Sequence, residues 1–196
     1  MALKLRNHTY FLVDLPSFIR RFTKKIVRPL KRSDDSTPCP MTSLTAVFHF
    51  QFEEDFVEEG IRCIPMIVRF KLDRCGIKLK LTEWSKLNEL ERQHLAELEC
   101  ESEEDVTVYR SWLQMAVVRK TGLRATDLQV VPGAVWANTS RVPDCVEEKV
   151  SELQLSLTID QWTTLTELQR FALVKLSRPG HENRNFPIAL KEFLGG

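Results

Sequence analysis

Shifted by 78 residues, this sequence matches itself without a gap. Residues 64–98 align with residues 142–176 and are identical at 11 of the 35 positions, where chance pairing at ordinary composition gives about 2. The identities are Pro65/Pro143, Val68/Val146, Lys71/Lys149, Leu79/Leu157, Trp84/Trp162, Leu87/Leu165, Glu89/Glu167, Leu90/Leu168, Arg92/Arg170, Leu95/Leu173 and Leu98/Leu176. No other feature constrains the fold as much, because any structure adopted by the first copy has to be compatible with the second.

The repeated unit reads as helical. Pro65 and Pro143 suit a first helical position, where the fixed φ is already right and no amide is missed. Ile64, Ile67, Val68, Leu72 and Cys75 then recur at three- and four-residue spacing. Gly76 is placed to close this helix in a left-handed cap. The second copy has Gln154 there, so its exit is expected to differ. Residues 77–81 alternate and form a short extended link. Thr82 and Asp160 are the expected N-caps of a short helix that buries Trp84 or Trp162. Asn88-x-x-Glu91 and Thr166-x-x-Gln169 have the pattern of capping boxes. Each opens a further helix, to about residue 98 and residue 176.

Outside the repeat, residues 105–120 read as an amphipathic helix with Val108, Trp112, Met115, Ala116 and Val118 or Arg119 around it. Residues 187–194 are its counterpart. Residues 130–136 are apolar but broken, as a loop crossing the core would be. Residues 48–52 alternate strictly, giving either one short strand or an extended lead-in, and a lone strand makes no sheet. The expected fold class is therefore mainly α: a single helical domain over residues 46–196, built from the repeat.

A chain of 196 residues has room for one domain plus an appendage. Residues 1–32 carry nine basic side chains against the single acid Asp14, leaving the rest at −7 out of a total of +1. That acidic remainder offers no footprint for nucleic acid. Residues 1–45 read as a basic arm and Ser/Pro linker, either dispensable or the product of a start mis-assigned upstream of Met41. In residues 15–30, Leu15, Phe18, Ile19, Phe22, Ile26 and Leu30 oppose a basic face, a pattern suited to weak membrane contact or to an organelle-targeting peptide, although such peptides are usually richer in serine. No run of 18 apolar residues is present. Cys39, Cys63, Cys75, Cys100 and Cys145 are odd in number and form no Cys-x-x-Cys pair, which points to free thiols in a reducing compartment.

Chemistry is sparsely signalled. The histidines at 8, 49, 94 and 181 show no i,i+4 zinc pair, and no Gly-rich phosphate loop or Gly-x-Ser-x-Gly occurs. The expectation is a protein that is not an enzyme, with no cofactor, no metal and no catalytic residues. Two segments stand out. The first, containing Glu53, Arg62, Arg69 and Asp73, reads either as an acidic capping stretch followed by a core helix or as a segment whose Arg62, Arg69 and Asp73 project a charged face to a partner. In the second, residues 175–187, polar residues and turn formers place Arg178, His181, Glu182, Asn183 and Asn185 on a loop. These read either as local caps or as a binding site.

Together the two segments resemble the nitrate reductase-associated protein family of cyanobacteria. The resemblance lies in Phe52-Glu53, Asp55-Phe56, Arg62-Cys63-Ile64-Pro65-Met66, Val68-Arg69, Lys71-Leu72-Asp73, Cys75-Gly76-Ile77-Lys78-Leu79 and Trp84. Near the end it continues in Arg178-Pro179, His181-Glu182-Asn183, Asn185-Phe186, Ala189 and Glu192-Phe193. It covers about residues 48–196 and implies a cytoplasmic accessory or maturation factor. Its partner would be the catalytic subunit of an assimilatory nitrate reductase carrying molybdenum cofactor and an iron–sulfur cluster. The alternatives are a carrier or enzyme handling the molybdopterin cofactor, with Arg178, His181 and Arg184 on its phosphate, or a small stable subunit of the reductase.

Overall fold

The computed structural model describes residues 49–53, 63–130, 133–179 and 181–195. The arm over residues 1–45 and its 15–30 segment, together with Cys39, Phe48 and Arg62, lie outside the described residues.

The architecture is mainly α. Helix α1 spans Met66–Cys75, α2 Leu81–Trp84, α3 Glu89–Glu97 and α4 Glu103–Thr121. The second half holds α5 over Asp144–Glu152, α6 over Ile159–Thr164, α7 over Glu167–Ser177 and α8 over Phe186–Leu194. The first three helices of the two halves begin 78 residues apart, at 66 and 144, 81 and 159, and 89 and 167. Asn88 and Thr166 form the expected capping boxes, each side chain accepting a bond from the third amide of its helix.

Several local expectations are corrected. Pro65 and Pro143 occupy the N-cap and not the first helical turn, with φ of −59° and −63°. The short helices begin before Thr82 and Asp160, because a better reciprocal cap lies upstream. Thr158 accepts from Gln161 N at 3.2 Å while its own amide donates to Gln161 Oε1 at 2.9 Å. In the first copy Glu83 Oε2 accepts from Lys80 N at 2.8 Å. Residues 49–53 form no strand: Gln51–Glu53 is a 3-10 turn. The described strands are instead β1, Ile77–Lys78, and β2, Thr126–Asp127, paired antiparallel with Ile77 opposite Asp127. In α4 the buried stripe is Tyr109, Leu113, Ala116 and Val117, whereas Met115 and Val118 are exposed. Of residues 130–136, Val130 and Val135 face solvent while Trp136 packs edge-on against Phe171 at 5.0 Å.

The exit of α5 keeps the turn of α1 despite losing its glycine. Gly76 has φ +63° and Gln154, its counterpart, φ +54°. A left-handed conformation costs a side-chain-bearing residue about 1–2 kcal/mol. Gln154 is exposed, so Gln154→Gly should stabilise the protein by about 0.5–1 kcal/mol after the entropy of the more flexible unfolded chain is subtracted. Urea unfolding would measure the gain, and an unchanged or lower midpoint would refute it.

Two apolar clusters fill the interior. The first gathers Val68, Leu72, Cys75, Ile77, Trp84, Leu95, Tyr109, Leu113 and Val117. The second gathers Met66, Phe70, Val146, Val150, Trp162, Phe171, Leu173, Phe186 and Leu190. Helix α1 contributes to both. At 100° per residue, Met66 and Phe70 lie on one side of it and Val68, Leu72 and Cys75 on the other.

Candidate partner-binding surface

Glu53 and Glu192 form a structural joint at the start of α1. Glu53 is buried; its Oε1 accepts from Met66 N at 2.9 Å and its Oε2 from Phe50 N at 3.1 Å. It thus satisfies the first free amide of α1, where helix polarity also favours negative charge. From α8, Glu192 accepts from the amides of Gln51 and Phe52 at 3.0 and 3.1 Å. Phe50 and Phe52 stack at 5.4 Å and both meet Phe193. Residues 49–53 are in this way fastened to α1 and α8 together.

Burial holds the Glu53 carboxyl above its usual range, outweighing the two amide bonds and the positive charge of Arg69. A carboxyl whose pKa rises on folding contributes stability when protonated and loses it as pH climbs through the folded-state pKa. Wild type and Glu53→Gln should therefore be closest in stability near pH 4, with the glutamine variant gaining relative to wild type towards about pH 7. Thermal melts at the two pH values test this, and a difference independent of pH would contradict it.

The charged face of α1 is tied to α7. Asp73 pairs with Lys175 at 2.7 Å, and Arg74 with Glu167 at 3.2 Å. Arg69 Nε donates to Ile64 O at 2.8 Å. Arg178 follows the end of α7 directly and is exposed. The structure thus brings Asp73, through Lys175, to within three residues of Arg178 in the chain, joining two segments that lie more than 100 residues apart. Beyond Arg178, His181–Asn185 forms a 3-10 turn that leads into α8. Asn183 is half-buried; Asn185 is buried and occupies the N-cap of α8 without a side-chain capping bond.

Several buried polar groups are committed to backbone. Lys71 Nζ donates to Ala96 O and Leu98 O, at 2.5 and 2.8 Å, closing the end of α3. Arg170 donates to Trp136 O at 2.8 Å and to Leu165 O. Burial pushes the Cys75 thiol up to about 12 and the Cys100 thiol up to about 11, so both stay protonated and unreactive. Among the described residues no group of three or more His, Cys, Asp or Glu is arranged to hold a metal ion, and no helix is long and apolar enough to cross a membrane.

The capping of α1 by Glu53 was open to sequence reasoning as an acidic stretch before that helix, whereas the part played by Glu192 escaped it. Glu192 meets its partners across about 140 residues of chain, a separation with no local signature. Residues 49–193, about three quarters of the chain, match the family model described as conserved nitrate reductase-associated protein. No curated protein and no solved structure matches.

Proposed function

This chain belongs to the conserved nitrate reductase-associated protein family, and we propose that it is an accessory or maturation factor for a molybdenum-containing assimilatory nitrate reductase. On this reading it acts by binding the reductase polypeptide in the cytoplasm and catalyses nothing itself. The observation that carries the proposal is the family match, which runs from the Glu53 joint to Phe193 and so spans both unusual segments. The chemistry of the interior fits it: Glu53, Lys71 and Arg170 spend their polar atoms on the backbone, and the buried thiols of Cys75 and Cys100 are protonated. Partner contact is assigned to Arg62, Arg69, Asp73, Arg178, His181, Glu182 and Asn183, while Asn185, which is buried, serves the turn into α8.

The test is nitrate reduction with an artificial electron donor, measured per milligram of cognate reductase co-expressed with and without this protein. Molybdenum and iron are quantified on the same samples. Activity and metal content falling together in its absence is the expected result. Equal activity and equal metal would sink the maturation role. Molybdopterin copurifying with this protein alone would favour the carrier reading.

A further inference from the structure

The two halves differ at one place where their sequences run in parallel. In the first half, the link after α1 is covered. Ile77 and Lys78 pair with Asp127 and Thr126, and Leu128 N donates to Gly76 O at 2.8 Å. The covering strand is held in turn by Gln114, whose side-chain amide exchanges two 3.0 Å bonds with the backbone of Ala125, and by Arg110, which reaches Asp127 at 2.8 Å. Under this cover Ile77 is 1% and Leu79 7% exposed.

In the second half the equivalent link is bare. Leu155 and Ser156 stand 78 residues after Ile77 and Lys78, and the only sheet among the described residues is the β1–β2 pair. Leu155 is 39% exposed, and Leu157, the equivalent of Leu79, is half-buried. An open groove of about 400 Å³ runs along this link, lined by Val142, Glu147, Val150, Leu155, Leu157 and Thr158 among others. Gln154 nevertheless holds the left-handed turn that aims the link as Gly76 aims β1.

We propose that this groove is a strand-docking site, and that its occupant is an extended, basic segment of a partner polypeptide pairing antiparallel with residues 155–156. Adding a strand to an open edge is a common mode of peptide recognition, with backbone bonds giving affinity and alternate side chains giving specificity. The charge of the occupant follows from the rim. Glu147 is the one charged residue that lines the groove; Glu148 and Asp160 add negative charge to the same stretch of chain, while Asp144 and Glu152 are paired with Arg141 and Lys149. Asp127 of the native cover is matched by Arg110 at 2.8 Å, and Glu147 on the open groove calls in the same way for a strand bearing lysine or arginine. Only the identity of the chain that supplies the strand rests on the reading of this protein as a reductase accessory.

The test uses the full chain and two synthetic peptides. One is residues 123–130, LRATDLQV, copied from the native cover; the other is LRATKLQV. The lysine peptide should bind saturably, with NMR shifts confined to residues 142–160, and more tightly than the aspartate peptide. Glu147→Lys, a surface change, should weaken the lysine peptide about threefold and strengthen the aspartate peptide by a similar factor. That exchange of preference is an effect a merely structural residue would not produce. No binding, or equal effects of Glu147→Lys on both peptides, overturns the site. Shifts of residues 142–160 that depend on protein concentration without peptide would make the occupant a second copy and overturn the partner assignment. Retention of the reductase, compared between wild type and Glu147→Lys, separates the two proposals. Peptide binding without reductase retention would defeat the accessory reading alone, whereas retention without peptide binding would defeat the groove alone.

Discussion

Replacing Gly76 by alanine is expected to destabilise the protein by about 3 kcal/mol, far more than a methyl group usually costs. Two independent penalties add. Gly76 has φ +63°, and a Cβ there costs about 1–2 kcal/mol in conformation alone. The new methyl would also lie 2.7 Å from Leu128 O and 2.7 Å from Val130 Cγ2. Leu128 O is backbone, held by the bond from Leu128 N to Gly76 O, and cannot rotate away. Overpacking of this kind adds about 1–3 kcal/mol. Gly122→Ala is the control, since Gly122 has φ +76° with nothing within 4 Å of its Cβ position. It should cost only the conformational part. Urea unfolding of both variants checks the pair, and equal losses would show that the approach of Leu128 contributes nothing.

Trp162→Ala should cost about 4 kcal/mol. The side chain is fully buried in the second cluster, and emptying such a site typically costs 3–5 kcal/mol. Its Nε1–H also donates to Asn138 O at 3.0 Å, so alanine leaves that carbonyl without its partner. Arg170 reaches Trp136 O two residues upstream, and the two side chains together pin residues 136–138 over the cluster. Domains of this size hold only about 5–15 kcal/mol, so the variant should melt far lower and be partly unfolded at 37 °C. Trp162→Phe keeps most of the volume and loses the hydrogen bond, and should fall between. Circular dichroism melts would decide, and a loss below about 1 kcal/mol for alanine would refute the assignment of Trp162 as a keystone.

What the sequence made legible was local. Helix starts at Asn88 and Thr166 were readable because a capping box is written in four consecutive residues. The left-handed turn at Gly76 was readable because glycine favours it. The same turn at Gln154 was not, since nothing in a glutamine announces φ +54°; the turn is held by bonds from Gln154 N to Ser151 O and from Leu155 N to Val150 O. The face of α4 was misread because apolar residues ring that helix. Tyr109 and Leu113 won burial, and Met115 and Val118 did not, through packing against α1, α2 and α3 that no periodicity encodes. The partner surface was half legible: Asp73 and Arg178 drew notice separately, but their approach through Lys175 depends on how α1 meets α7.

Helix α1 has one further consequence. Because Met66 and Phe70 enter one cluster while Val68, Leu72 and Cys75 enter the other, neither half owns a complete interior. A fragment ending near residue 125 would present Phe70 to water, and one beginning near residue 133 would lack both Met66 and Phe70. The two halves should not be separable by proteolysis or expression. They should melt in one transition, with the amides of α1 the slowest to exchange, so that the most internally repetitive part of the chain behaves as a single cooperative unit.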